Sequence, residues 1–257
     1  MVIKSIALDG LKISYRTTGD GHLALIFLHG FGATSIVWKN QLKHFSKRAK
    51  IIAPDLRGWG YSSMPRGARY RIPDHMSDIS NLATSLDISR FVLGGSSMGG
   101  LLALSYYFRN QKKVRALILV GTRAKARKDL SNLIGRARSS EYRKILRETV
   151  VNSFSRSSVA DKAQVLHSAI RATEETVLHS LEAFQGVDFS RRLHRISVPT
   201  LIIFGREDRI TGINEALYLN RKIRTSKLRI IDDAGHLPMM EQSKEFNAEV
   251  ERFLNSL

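Results

Sequence analysis

A serine sits between glycines in Gly95-Ser96-Ser97-Met98-Gly99, after the apolar run RFVLGG and ahead of LLALSYYF. The spacing is G-x-S-x-G with Ser97 at its centre, the pattern of a sharp strand-to-helix turn that lifts a hydroxyl above a sheet while glycines relieve the crowding. Ser96 is the competing serine. Centring the pattern on Ser96 would put Gly94 and Met98 at the flanks and lose the second glycine. A serine hydroxyl is protonated at neutral pH, so nucleophilic use of Ser97 demands a base. Of the eight histidines, His236 is the best placed, in DDAGHLP after the last apolar run, where a loop at the carboxyl end of a sheet can reach the turn. Without the serine motif it would read as a solvated loop histidine. The base in turn needs a carboxylate to hold its tautomer. Asp208, in FGRED just past TLIIFG, completes the chain order Ser, Asp, His. Glu207 is the adjacent competitor, and either acid could cap a helix instead. Asp232 and Asp233 lie close to His236 in sequence and are second choices for the acid.

These three residues need strands that end on one side and helices that carry the chain back. Two alternating runs, VIKSIAL and LKISYRTT, meet at Asp9-Gly10, which predicts an antiparallel hairpin. LALIFLHG and KIIAPD read as buried parallel strands, with a helix from 35 to 45 between them. A helix near 74–87, strand RFVLGGS, helix 97–109 and strand 115–121 continue the alternation. It resumes with a strand at 200–205, a helix near 212–222, a strand at 227–232 and a last helix over 242–255. Alternation of this kind predicts an α/β fold with a mostly parallel sheet covered on both faces. The interruption, residues 123–198, has helical periodicity at 139–153, 158–170 and 172–185 and no convincing buried strand. It is expected to be a small helical insertion in a core formed by 1–122 and 199–257.

Composition limits the partners. Of 257 residues 43% are hydrophobic and 25% charged, as in a folded globular protein, and the absence of cysteine excludes disulfides and thiolate chemistry. No run of 18 or more apolar residues occurs, and the alternating N-terminus does not look like a leader, so a soluble, cytoplasmic protein without a membrane span is expected. The net charge of +18 raises nucleic acid as a partner. There is no zinc-finger spacing or basic tail to support that reading, and a solvated basic surface accounts for the charge with fewer assumptions. Residues 123–156 hold ten Lys or Arg against three acids, so the excess is concentrated in the insertion. Such a field could draw anionic substrates toward a cleft beneath it.

Five ordered segments resemble the α/β-hydrolase family of esterases, lipases and carbon–carbon-bond hydrolases over nearly the whole chain. They are His29-Gly30-Phe31-Gly32, the stretch from Pro54 to Ser62, Ser97-Met98-Gly99-Gly100, Gly205 to Asp208, and Gly235-His236. The resemblance implies that backbone N–H groups of Phe31 and Met98 form an oxyanion hole, that Asp55 and Arg57 shape a loop near the site, and that the insertion is a cap over the pocket. It implies acyl transfer through an acyl-enzyme on a small-molecule ester, with no metal or organic cofactor. Relatives that cleave carbon–carbon bonds often have Trp after the catalytic histidine, whereas Leu237 stands here, which favours an ester substrate. Relatives with an Asp nucleophile are disfavoured by Ser97. Hydrolysis of a dienoate-type carbon–carbon bond is the alternative activity, and a slowly hydrolysing receptor on the same scaffold is the alternative outside ordinary enzymes.

Overall fold

The computed structural model describes residues 2–66, 70–127, 129–155 and 159–257. Strands β1 (Val2–Leu8) and β2 (Leu11–Leu28) form the antiparallel hairpin expected at Asp9-Gly10, where both turn residues have positive φ, 49° and 78°. β2 is longer than either run suggests, because LKISYRTT and LALIFL join into one folded strand. Its first half runs antiparallel to β3 (Ala49–Pro54), from Tyr15 opposite Pro54 to Thr18 opposite Ile51. After irregular pairing near His22 the register ascends, from Ala24 opposite Lys50 to Ile26 opposite Ile52, as beside a parallel neighbour. β2 therefore bends around β3, and the bend at Gly19-Asp20-Gly21 passes so close to the chain leading into β3 that a Cβ on Gly19 would lie 2.6 Å from the Ser46 carbonyl oxygen.

The remaining strands are β4 (Phe91–Ser96), β5 (Val114–Val120), β6 (Thr200–Gly205) and β7 (Ser226–Ile231), in the order β1-β2-β4-β5-β6-β7, with every contact from β2 to β7 along that path parallel. Side chains alternate across a strand, so neighbouring residues enter opposite cores. Leu25, Val92, Ile118 and Ile203 face the layer of Trp38, Leu42 and Phe246, which belong to the 3-10 turn Ser35–Trp38, α1 (Lys39–His44) and α10 (Ser243–Leu254). Ile26, Leu93, Leu117 and Ile202 face α2 (Ile72–Ser85), α3 (Met98–Arg109) and α8 (Ile213–Lys222) through Ile79, Leu102 and Leu219.

Between β5 and β6 the chain forms α4 (Leu130–Arg138), α5 (Tyr142–Asn152), α6 (Val159–Ala169) and α7 (Glu174–Glu182). Three were expected, although Ser158, the expected first residue of one, lies outside the described residues, as do Lys128 and Arg156 of the basic segment. α4 was not expected. Its apolar stripe of Leu130, Ile134 and Ala137 is buried, but four of its nine residues are Arg, Asn or Gly and blur the pattern. Two further helices differ in outline. The expected helix from 35 to 45 begins as a 3-10 turn, and a short α9 (Pro238–Glu241) precedes the last helix.

Candidate active site

Ser97 stands at the junction of β4 and α3 with φ 53° and ψ −115°, a conformation that costs a non-glycine residue of order 1–3 kcal/mol. Neighbouring groups impose it. The Ser97 N–H donates to the Val120 carbonyl at 2.9 Å, and the Thr122 hydroxyl donates to the Ser97 carbonyl at 2.7 Å. The turn is so tight that a Cβ on Gly95 would lie 2.6 Å from the Gly100 nitrogen, and one on Gly99 would lie 2.5 Å from the Leu28 carbonyl oxygen. This is the crowding that the glycine spacing anticipates. Both serines line one cavity, but Ser97 is half-buried, whereas Ser96 is wholly buried and its hydroxyl has no hydrogen-bond partner among the described residues.

His236 and Asp208 are brought together by the ends of β6 and β7. The ring Nδ1 of His236 lies 2.9 Å from Asp208 Oδ2, and both side chains are buried. An ionised carboxylate only accepts, so Nδ1 carries the proton and Nε2 keeps its lone pair. The other Asp208 oxygen accepts from the N–H groups of Ile210 and Thr211, each at 2.9 Å. Burial by itself would raise the Asp208 carboxyl. The charge His236 carries when protonated, its ring hydrogen bond and the two amides outweigh burial and hold the carboxyl below its ordinary value. Glu207 is half-buried and donates its N–H to the Ala234 carbonyl, and Asp232 pairs with Arg206. Neither is the acid that meets the histidine.

His29 organises the loop that faces Ser97. Its Nδ1 contacts the Gly30 carbonyl at 2.8 Å and its Nε2 accepts from the Leu56 N–H at 2.9 Å, so the buried ring is neutral, and burial pushes its pKa down. Asp55 fastens both flanks, accepting from the Ser35 N–H at 2.8 Å and the Tyr61 N–H at 3.0 Å. Arg57 is fixed by a buried ion pair with Asp78 at 2.7 Å. Both residues are structural, as expected of them. Phe31 packs edge-on against Trp59, and Phe31 and Met98 line the same cavity as Ser97 and His236. Met98 opens α3, and an N–H in a first helical turn has no intrahelical acceptor.

The cavity has a volume of about 110 Å³ and is closed over by α4, α5, α6 and α7 through Leu133, Val150, Val165 and Leu181. Two direct ties join these helices to the site. The His236 N–H donates to the Ser153 carbonyl at 2.8 Å, and Glu241 accepts from the Gly235 N–H at 2.8 Å and from the N–H and hydroxyl of Ser155 at 2.8 and 3.0 Å. Sequence reasoning missed these residues. It also missed Thr122, Thr211 and Gly121, whose carbonyl accepts from the Thr211 hydroxyl at 2.8 Å. Hydrogen bonds between loops far apart in the chain leave no spacing to read.

The profile of the Alpha/beta hydrolase family matches residues 25–249. The chain belongs to that family. Among curated members of this hydrolase family, 3-oxoadipate enol-lactonase 2 of Acinetobacter baylyi is 27% identical, with 96% of this chain and 94% of the relative covered. The 2-hydroxy-6-oxo-2,4-heptadienoate hydrolase of Pseudomonas putida is 26% identical over 98% of this chain and 95% of the relative. In structure, a thermophilic esterase from Thermogutta terrifontis superposes with a TM-score of 0.90 at 25% identity, covering 100% of this chain and 99% of the esterase. The family fold accounts for the mostly parallel sheet opened by an antiparallel hairpin. No helix among the described residues is long and apolar enough to cross a membrane.

Proposed function

We propose that this hydrolase cleaves carboxylic esters, open-chain or lactone, with Ser97 as nucleophile, His236 as base and Asp208 as the acid that orients the base. The observation that carries the reading is the buried Asp208–His236 pair, whose ring opens into the cavity that Ser97 enters from its strained turn. Ser97 Oγ attacks the ester carbonyl as Nε2 of His236 takes its proton, and the carbonyl oxygen becomes an oxyanion. The N–H groups of Phe31 and Met98 stabilise that charge. The imidazolium then protonates the departing alkoxide, the ester C–O bond breaks, and Ser97 holds the acyl group. Water, deprotonated by His236, attacks the acyl-enzyme and releases the acid with the Ser97 proton restored. Asp208 stabilises the imidazolium in both halves. The helices over the cavity act as the cap that selects the substrate, and 123–198 is the segment we assign to it.

The relatives include an enol-lactonase and a dienoate hydrolase, so carbon–carbon-bond cleavage is the second reading. Leu237, which lines the cavity next to His236, favours the ester. Turnover of p-nitrophenyl acyl esters of graded chain length tests the proposal. Ser97→Ala should lower kcat by several orders of magnitude, with unchanged urea unfolding, and Ser96→Ala should keep substantial activity. An inactive Ser96→Ala beside an active Ser97→Ala would assign the nucleophile to the wrong serine.

A further inference from the structure

We propose that the natural substrate carries a free carboxylate on an apolar skeleton, and that Lys125, assisted by Arg123, is the specificity-determining cation that receives it. This rests on the ester-hydrolase reading and deepens it. The cavity wall is apolar where the helical insertion covers it, yet Arg123, Lys125 and Arg127 also line it, and no Asp or Glu does. A substrate that matches this wall is apolar along its length and anionic at one point.

The three cations share a wall because the backbone between them is extended. Lys125 bridges Asp188 antiparallel, the Phe189 N–H donates to the Ala124 carbonyl and the Ala126 N–H to the Val187 carbonyl, both at 2.8 Å. In extended chain, side chains two apart fall on one side. What each cation already binds then separates them. Arg127 grips both carboxylate oxygens of Asp129, at 2.8 and 2.6 Å. Arg123 donates to the carbonyl of Ile210, a neutral acceptor in the loop that begins at Asp208. Lys125 has no ion pair within contact distance among the described residues; the Asp188 carboxylate across the bridge feels its charge but is engaged by Ser190, whose N–H donates to it at 2.7 Å. Of the other cations in the insertion, Arg136 pairs with Glu141 and Glu148 and Arg138 with Glu182, and neither lines the cavity. Lys125 is exposed and lines the cavity, so a cation without an ion pair of its own stands where the apolar wall meets solvent. The flexible stem of lysine lets the ammonium follow a carboxylate inward along apolar surface.

The experiment compares kcat/KM for the mono-p-nitrophenyl ester of glutaric acid with that for p-nitrophenyl pentanoate, a neutral ester of the same chain length. The wild-type ratio should favour the anionic ester, and Lys125→Met should lower the ratio about tenfold through KM, the size of one charge-assisted hydrogen bond. Lys125→Arg should restore most of it. Lys112→Met, which removes the same charge just before β5, at the end of the strand away from the site, should leave the ratio as in wild type. A wild-type ratio of one or below, or an equal fall with Lys112→Met, overturns the proposal, the latter because it would show only the long-range field of the whole molecule. Calorimetric titration of glutarate into Ser97→Ala separates the two readings. If neither ester is turned over but glutarate binds and Lys125→Met weakens that binding, the ester reading fails and the anion site stands. Binding indifferent to Lys125→Met, or none, overturns the anion site whatever the enzyme hydrolyses.

Discussion

Asp208 and Glu207 are adjacent carboxylates, and only Asp208 meets the histidine ring. Asp208→Asn would present an amide N–H to Nδ1, which favours the tautomer with its proton on Nε2 and removes the base from Ser97. A fall in kcat of about 10⁴-fold on p-nitrophenyl esters is expected, as in serine proteases with the same change. Glu207→Gln should cost far less, since only its backbone N–H is engaged in the turn. The reverse ranking in steady-state kinetics would assign the acid to Glu207. The common placement of Ser97, His236 and Asp208 was legible because each lies a few residues at most beyond an apolar run that can be read as a strand, so sequence puts all three at one end of a parallel sheet. Thr122 and Thr211 were not, because each holds the site through a carbonyl on another loop, and a threonine after a strand is unremarkable until that loop is in position.

Among elements, the junction of α5, α9 and the loop after β7 ties the helical insertion to His236. Glu241 serves the Gly235 N–H with one oxygen and Ser155 with the other, so the turn after α5 and the histidine loop share one carboxylate. Glu241→Ala should lower unfolding stability by about 2 kcal/mol, the value of hydrogen bonds to a charged group, and lower kcat by loosening His236. Glu241→Gln, which keeps one acceptor oxygen, should fall between. Urea unfolding and ester kinetics on the three proteins check this, and an alanine variant as stable and active as wild type would mean that the junction contributes nothing in solution. The central strands β4 and β6 were legible from apolar runs that are buried on both faces. α4 was obscured by its charge, and the bend of β2 could not be foreseen because two runs separated by Gly19-Asp20-Gly21 look like two strands joined by a turn.

At the scale of the molecule, acid should unfold this protein through a histidine that no motif marks. His75 is buried beside the Arg57–Asp78 pair, and burial, with the charge of Arg57, pushes its pKa from 6.5 down to about 3. Between those values the unfolded chain holds a proton there that the folded chain refuses, so stability is complete above 6.5 and declines as pH falls toward 3. Asp78, raised by burial despite Arg57, acts in the opposite sense just above its ordinary value, and Asp208, held low, loses its contribution only at still lower pH. The slope assigned to His75 is at most about 1.4 kcal/mol per pH unit. Urea unfolding between pH 7 and 4 should show His75→Gln with the shallower decline, and parallel curves would exclude His75 as the source. The wrapping of β2 around β3 also bears on how the chain emerges from a ribosome. β1, β2 and β3 are complete by Pro54, so their mutual pairing can close while most of the protein is still unmade. β5 must instead wait for β6, from Val120 to Thr200, with the whole insertion intervening. Loop closure costs more entropy as the loop grows, so vectorial synthesis favours a nascent three-stranded platform on which the later strands dock in turn.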